Sequence, residues 1–135
     1  MLVVDTNIIA ALYIRGAYTD GVHQLRRRDD LWRTDPLAII EFSNVLATYQ
    51  QARYLTASEA QRCLAQADRL LRPHYVEVPH DSALALATRH GVTAYDARFL
   101  ALAERVGLRL VTEDSKLRAA APALTQSLAD ALATI

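Results

Sequence analysis

Leu2-Val3-Val4-Asp5-Thr6-Asn7 is the stretch on which the reading of this chain turns. A leucine and two valines suit a short buried strand, and the carboxylate that follows stands where the strand stops and a helix begins. In an open α/β sheet, ligands sit outside the carboxyl ends of the strands, so Asp5 occupies a position where chemistry is commonly done. The same residues also suit a plain helix start, because Asp, Thr and Asn are good N-caps for the apolar Ile8-Ile9-Ala10-Ala11-Leu12 that follows. Three further carboxylates, Glu41, Asp96 and Asp114, bear on the choice between the two.

Outward from this strand, the patterning alternates strand and helix, the signature of a parallel sheet. Helices are expected over residues 7–13, 19–28, 36–53, 56–71, 82–90 and 93–106. Asp35-Pro36 marks the start of the third and the capping-box pattern Thr56-x-x-Glu59 that of the fourth, while Gly91 and Gly107 close the last two. Strands are expected at residues 31–34, 75–78 and 108–112, with an edge strand at 124–127 and a short helical turn at 128–133. The fold class is therefore α/β, with a central, mostly parallel sheet of four to five strands flanked by helices, and residues 1–135 are expected to form a single domain.

Glu41 is the anomaly of the third helix. It lies four residues from both Leu37 and Val45, beside Ile40 and Asn44, on what the spacing makes the core-facing stripe. A buried carboxylate costs several kcal/mol unless it is paired, protonated or metal-bound. Asp96 sits in the first turn of its helix, with Phe99 and Leu100 three and four residues on, and so lies along the inward side. At Leu110-Val111-Thr112-Glu113-Asp114 an apolar strand again runs into a hydroxyl and a carboxylate, as at Asp5. If the four acids converge at the carboxyl edge of the sheet, their mutual repulsion calls for a cation. All-oxygen donors select a hard ion, Mg²⁺ or Mn²⁺, which suits phosphodiester cleavage.

Composition narrows the alternatives. Lys and Arg number 15, as do Asp and Glu, so the net charge is zero and the chain lacks the global basic field of a duplex-wrapping protein. The basic residues are all arginine except Lys116, with a local run at Arg26-Arg27-Arg28. A lone Cys63, no apolar run long enough to span a membrane, and no export-type leader before the first strand lead to the expectation of a cytoplasmic protein. His23, His74, His80 and His90 lack zinc-ligand spacing, and neither a nucleophile elbow nor a glycine-rich phosphate loop is present.

Four segments, in order, resemble the PIN-domain nucleases and in particular the VapC toxins of toxin-antitoxin modules. They are Val3-Val4-Asp5-Thr6-Asn7; Pro36-Leu37-x-x-x-Glu41-x-x-Asn44-Val45-Leu46; Gly91-x-Thr93-x-Tyr95-Asp96-Ala97; and Leu110-Val111-Thr112-x-Asp114-x-x-Leu117. The resemblance covers essentially the whole chain. It implies a compact PIN-like α/β/α domain and a Mg²⁺- or Mn²⁺-dependent endoribonuclease with Asp5, Glu41, Asp96 and Asp114 as its acidic quartet. Asp5 and Asp96 would be direct metal ligands, with Glu41 and Asp114 acting directly or through water. Thr6 and Thr112 would be supporting hydroxyls, and Asn44 would support Glu41. The resemblance further implies an RNA substrate, a cognate antitoxin and a homodimer; the zero net charge leaves RNA affinity to the metal and to local arginines, including Arg15, Arg26 to Arg28 and Arg98. It assigns no role to Glu113. The alternatives are a catalytically silent RNA- or protein-binding module on the same scaffold, and a haloacid-dehalogenase-like phosphohydrolase, which would want an aspartate where Asn7 stands.

Overall fold

Four strands, Leu2–Val4 (β1), Trp32–Arg33 (β2), Leu110–Val111 (β3) and Thr125–Gln126 (β4), form one sheet in the order β2-β1-β3-β4. All three pairings are parallel. The computed structural model describes residues 1–134, and in it helices flank this sheet. They are Thr6–Tyr13 (α1), Thr19–Arg28 (α2), Leu37–Gln51 (α3), Ala57–Leu71 (α4), His80–His90 (α5), Ala94–Val106 (α6), Ser115–Ala120 (α7) and Leu128–Ala133 (α8). The expected α/β architecture is the one observed, and the expected edge strand is β4.

Burial explains the arrangement. Val3, Val4, Leu110 and Val111 are wholly buried in the two central strands, as parallel strands covered by helices must be. Helix α6 packs on β1 and β3 and places Phe99, Leu100 and Leu102 in the core, together with Trp32 and Phe42. Its ends follow the sequence signals: Thr93 accepts a hydrogen bond from the Asp96 amide, and Gly107 takes the left-handed conformation at φ 72° that a side chain would strain. The capping box of α4 forms as read, with the Thr56 hydroxyl and the Glu59 carboxylate each accepting from the other residue's backbone N–H.

Two expectations are corrected. Residues 75–78 do not form a strand; Tyr75 makes a single parallel bridge to Thr34, and the Val76 amide donates to the Thr34 carbonyl. The cause is that β2 turns away at Asp35-Pro36, so the segment finds one residue to pair with and no more. In α3 the core stripe is Ala38, Phe42 and Leu46, whereas Ile40 is exposed and Leu37, Glu41 and Val45 face an open cavity. The helix α7 had no counterpart in the sequence reading.

Candidate active site

Strand register builds the centre of the site. Val4 pairs with Val111, so the residues that follow, Asp5 and Thr112, emerge side by side at the carboxyl edge of the sheet. The Thr112 hydroxyl donates to Asp5 Oδ2 at 2.8 Å, and the Asp5 amide extends the ladder to the Val111 carbonyl. Two residues beyond Thr112 stands Asp114, whose amide donates to Thr112 Oγ1 at 3.1 Å. Helix α3 supplies Glu41, and the first turn of α6 supplies Asp96.

These four carboxylates line one cavity of about 590 Å³, together with Thr6, Asn7, Asn44, Leu37, Ile40, Val45, Tyr95 and Ala10. All four acids singled out from the sequence are brought together, as are Thr6 and Asn44. Thr112 stands behind the wall, fully buried, holding Asp5. Asp5 and Asp114 also cap helices. Asp5 Oδ1 accepts from the Thr6 amide, and Asp114 Oδ1 from the amides of Lys116 and Leu117. Capping and membership of the acid cluster are thus compatible, because a carboxylate has acceptor capacity for both.

Hydrogen bonds orient the acids. The Thr6 hydroxyl donates to Glu41 Oε1 at 2.6 Å, so Thr6 is the residue that holds Glu41. Asn44, expected in that role, lines the cavity one turn further along α3, where its side chain is exposed. Asn7 was absent from the sequence-derived set of supporting residues. Its amide nitrogen donates to Asp5 Oδ2 and to Thr112 Oγ1, while its Oδ1 accepts from the Glu113 amide. Its place two residues after Asp5 in the strand-to-helix junction was the available signal. Glu113, left without a role, points away from the cavity. It accepts from the Leu128 amide at the start of α8 and lies 3.7 Å from Arg118.

Electrostatically the cavity is unbalanced. Burial raises the Asp5 pKa from its ordinary 3.8 to about 6; hydrogen bonds from Thr112 and Thr6 oppose the rise, and the charges of Glu41 and Asp96 add to it. Glu41 is raised by burial and by the charges of Asp96 and Asp35, against the Thr6 hydrogen bond. Asp96 is raised by burial and by Asp114. The acids therefore feel one another, and no Lys or Arg is among the described residues lining the cavity.

The donor set fits a hard divalent cation. Every candidate ligand atom is oxygen, and a cation offsets both the burial and the mutual repulsion that raise these pKa values. Among the described residues no three of His, Cys, Asp and Glu gather closely enough to hold an ion by themselves. Mg²⁺ as a class keeps several waters and takes one or two carboxylates plus substrate phosphate. Two expected RNA-binding arginines are otherwise engaged. Arg98 donates to Asp35 Oδ2 at 3.0 Å and to the Val78 carbonyl, and Arg15 pairs with Asp20. Tyr13 packs within the helices against Phe42.

Comparison with known proteins gives concordant results. The PIN domain family model matches residues 2–122. A curated relative named Ribonuclease VapC3, from Pyrobaculum aerophilum, is 38% identical over 127 residues, covering 91% of this chain and 96% of its own length. Among solved structures, PAE2754 from Pyrobaculum aerophilum superposes with a TM-score of 0.72 at 27% identity, covering 98% of this chain and 92% of the other. FitAcB from Neisseria gonorrhoeae superposes with a TM-score of 0.68 at 18% identity over 94% and 96% of the two chains, a likeness of fold.

Proposed function

The chain belongs to the PIN-domain family, and on that premise we propose that it is a metal-dependent endoribonuclease acting as the toxin of a toxin-antitoxin pair. The observation that carries this reading is the convergence of Asp5, Glu41, Asp96 and Asp114, from four separate segments, on one open cavity at the carboxyl edge of the sheet. The 38% identity to a protein named as a ribonuclease supports RNA as the substrate. In this reading residues 1–135 work as one cytoplasmic nuclease domain that homodimerises and is neutralised by a cognate antitoxin. No helix among the described residues is long and apolar enough to cross a membrane.

Asp5 and Asp96 are the proposed direct ligands, with Glu41 and Asp114 acting directly or through water. Bound Mg²⁺ or Mn²⁺ would polarise the phosphodiester and lower the pKa of a coordinated water. Within the chain itself, Thr112 and Asn7 hold Asp5 Oδ2 in place, and Thr6 holds Glu41 Oε1. Glu41 Oε2, which Thr6 does not engage, is then the oxygen placed to accept the proton of the attacking water. The water oxygen bonds to phosphorus as the bond to the leaving ribose oxygen breaks, and that oxygen takes its proton from solvent.

The test is incubation of total cellular RNA with purified, partner-free protein in Mg²⁺ or Mn²⁺, in EDTA, and with Asp5→Asn in place of the wild type. Discrete fragments that require both the cation and Asp5 are expected. Cleavage that persists in EDTA, or that Asp5→Asn leaves unchanged, would remove this site from the reaction.

A further inference from the structure

A second cavity, of about 390 Å³, lies outside the acid cluster and has the opposite character. Tyr13, Arg26, Gln66, Arg69 and Leu70 line it, so its charged side chains among the described residues are both cationic. Three helices build it near their carboxyl ends: Tyr13 closes α1, and Arg26 and Arg69 stand in the last turns of α2 and α4. A cation in a last turn suits the helix dipole, which explains each arginine separately but not why two of them share one cavity. Among the described residues neither Arg26 nor Arg69 forms an ion pair. Asp68, next to Arg69 in the chain, is turned to Arg72 and Tyr75, and Asp29 is taken by the Met1 amine. Arg26 also lines an adjoining cavity with His23, Arg27 and Asp30, where two arginines face one acid. Arg26 is half-buried, and a charge partly withdrawn from water costs free energy unless something pairs with it. Its guanidinium acts on the Tyr13 phenol, whose pKa is raised by burial against the opposing charge of Arg26.

We propose that Arg26 and Arg69, with Tyr13 and Gln66, form a binding site for a phosphate monoester, separate from the acidic cavity and filled without a metal. Each guanidinium presents its N–H donors in a planar fork that matches phosphate oxygens, and the phenol and the Gln66 amide add neutral donors. A carboxylate brings one charge and two oxygens to this set. A phosphate monoester brings nearly two charges and three oxygens, so it balances both arginines and satisfies more of the donors. The volume is that of a small-ligand site. The same group ends a free nucleotide and a phosphorylated RNA strand. A strand can reach it from the acidic cavity along α1, since Ala10 lines the one and Tyr13 the other, on the same face and within a turn. The inference goes beyond the nuclease reading and does not need it, because binding here uses neither the four acids nor cleavage.

Isothermal titration calorimetry in EDTA tests this, with AMP, adenosine and a 12-nucleotide RNA carrying either a 5′-phosphate or a 5′-hydroxyl as probes. The proteins are wild type, Arg26→Gln combined with Arg69→Gln, Arg69→Gln alone, and a charge-matched control with Arg89→Gln and Arg109→Gln, which line neither cavity. Wild type and control should bind the phosphorylated probe equally, and the paired variant about tenfold or more weakly, the effect of losing charge-assisted hydrogen bonds. Adenosine and the 5′-hydroxyl RNA should not distinguish the paired variant from the control. Binding of AMP assigns the site to free nucleotides, and a gain confined to 5′-phosphorylated RNA assigns it to strand ends; either supports the proposal. Equal affinity of the paired variant and the control for both phosphorylated probes, or no effect of the phosphate in wild type, would overturn it. So would binding of a glutamate-rich peptide that needs both arginines while neither phosphorylated probe binds, which would give the cavity to a partner protein's carboxylates. Arg69 is exposed, so Arg69→Gln alone, expected to weaken binding in the same direction, keeps the test decisive if the paired variant fails to fold. Cleavage reports on Asp5 and the cation, and phosphate binding on the arginines, so the two readings fail separately.

Discussion

Asp5 shows how one residue can serve two levels of organisation. One oxygen starts α1 by accepting from the Thr6 amide, and the other is fixed by Thr112 and Asn7. Burial still dominates and pushes the pKa up to about 6. For an acid whose folded pKa lies above its unfolded one, the native state binds the extra proton between the two values, so stability falls as pH rises from about 4 through 6. A shift of this size corresponds to the order of 3 kcal/mol in the cation-free protein. A divalent cation reverses the sign by favouring the carboxylate, and protons compete with it. The increase in the urea midpoint on adding Mg²⁺ should therefore be large at pH 7.5 and small at pH 5; an increase independent of pH would separate Asp5 from cation binding.

Between elements, the contact that sets Asp96 against Glu41 is made by residues outside the cavity. Asp35 lies just before α3, 2% exposed. Its Oδ1 accepts from the Leu37 amide and its Oδ2 from Arg98 Nε, two residues past Asp96 on α6. This ion pair ties the start of one acid-bearing helix to the first turns of the other. Removing one partner of a buried pair leaves an uncompensated charge, a loss of about 3–5 kcal/mol, whereas removing both is far milder. Arg98→Met should lower stability in urea unfolding by an amount in that range, and Asp35→Asn combined with Arg98→Met should recover much of it. Additive losses in the double variant would show that the two residues act independently.

At the scale of the molecule, zero net charge sets this protein apart from nucleic-acid binders that work through a broad basic face. The charged side chains among the described residues that line the cavity are all negative. Arg26 and Arg69 face a separate cavity beside Tyr13. For single strands, the logarithm of affinity falls with the logarithm of salt by about 0.7 per phosphate contacted. Binding of a 12-nucleotide single-stranded RNA across a NaCl series should therefore give a shallow slope, of magnitude below about 2. A steeper slope would place the strand on arginine clusters such as Arg26 to Arg28 instead.

Much of this was legible in the residues themselves. The apolar runs before Asp5 and Asp114, the caps at Thr56 and Thr93 and the stops at Gly91 and Gly107 act over a few residues, so they survive reading one segment at a time. Glu41 stood out because it is out of place in its own helix, Asp5 and Asp114 because each follows an apolar strand, and Asp96 because it begins a helix; the family resemblance joined the four. What no segment carries is which side of a helix meets the core. Ile40 and Glu41 read as part of an inward stripe of α3, yet the side that packs is Ala38, Phe42 and Leu46, and only the positions of α1 and α4 against α3 decide between them. In the same way, residues 75–78 have the composition of a strand but lack a partner of sufficient length, since pairing needs a second strand running alongside. The links from Thr6 to Glu41, Asn7 to Thr112 and Arg98 to Asp35 join residues 35, 105 and 63 positions apart. Local chemistry determined which groups this protein carries; tertiary structure decided which of them meet, because hydrogen bonds and charge repulsion depend on distance in space.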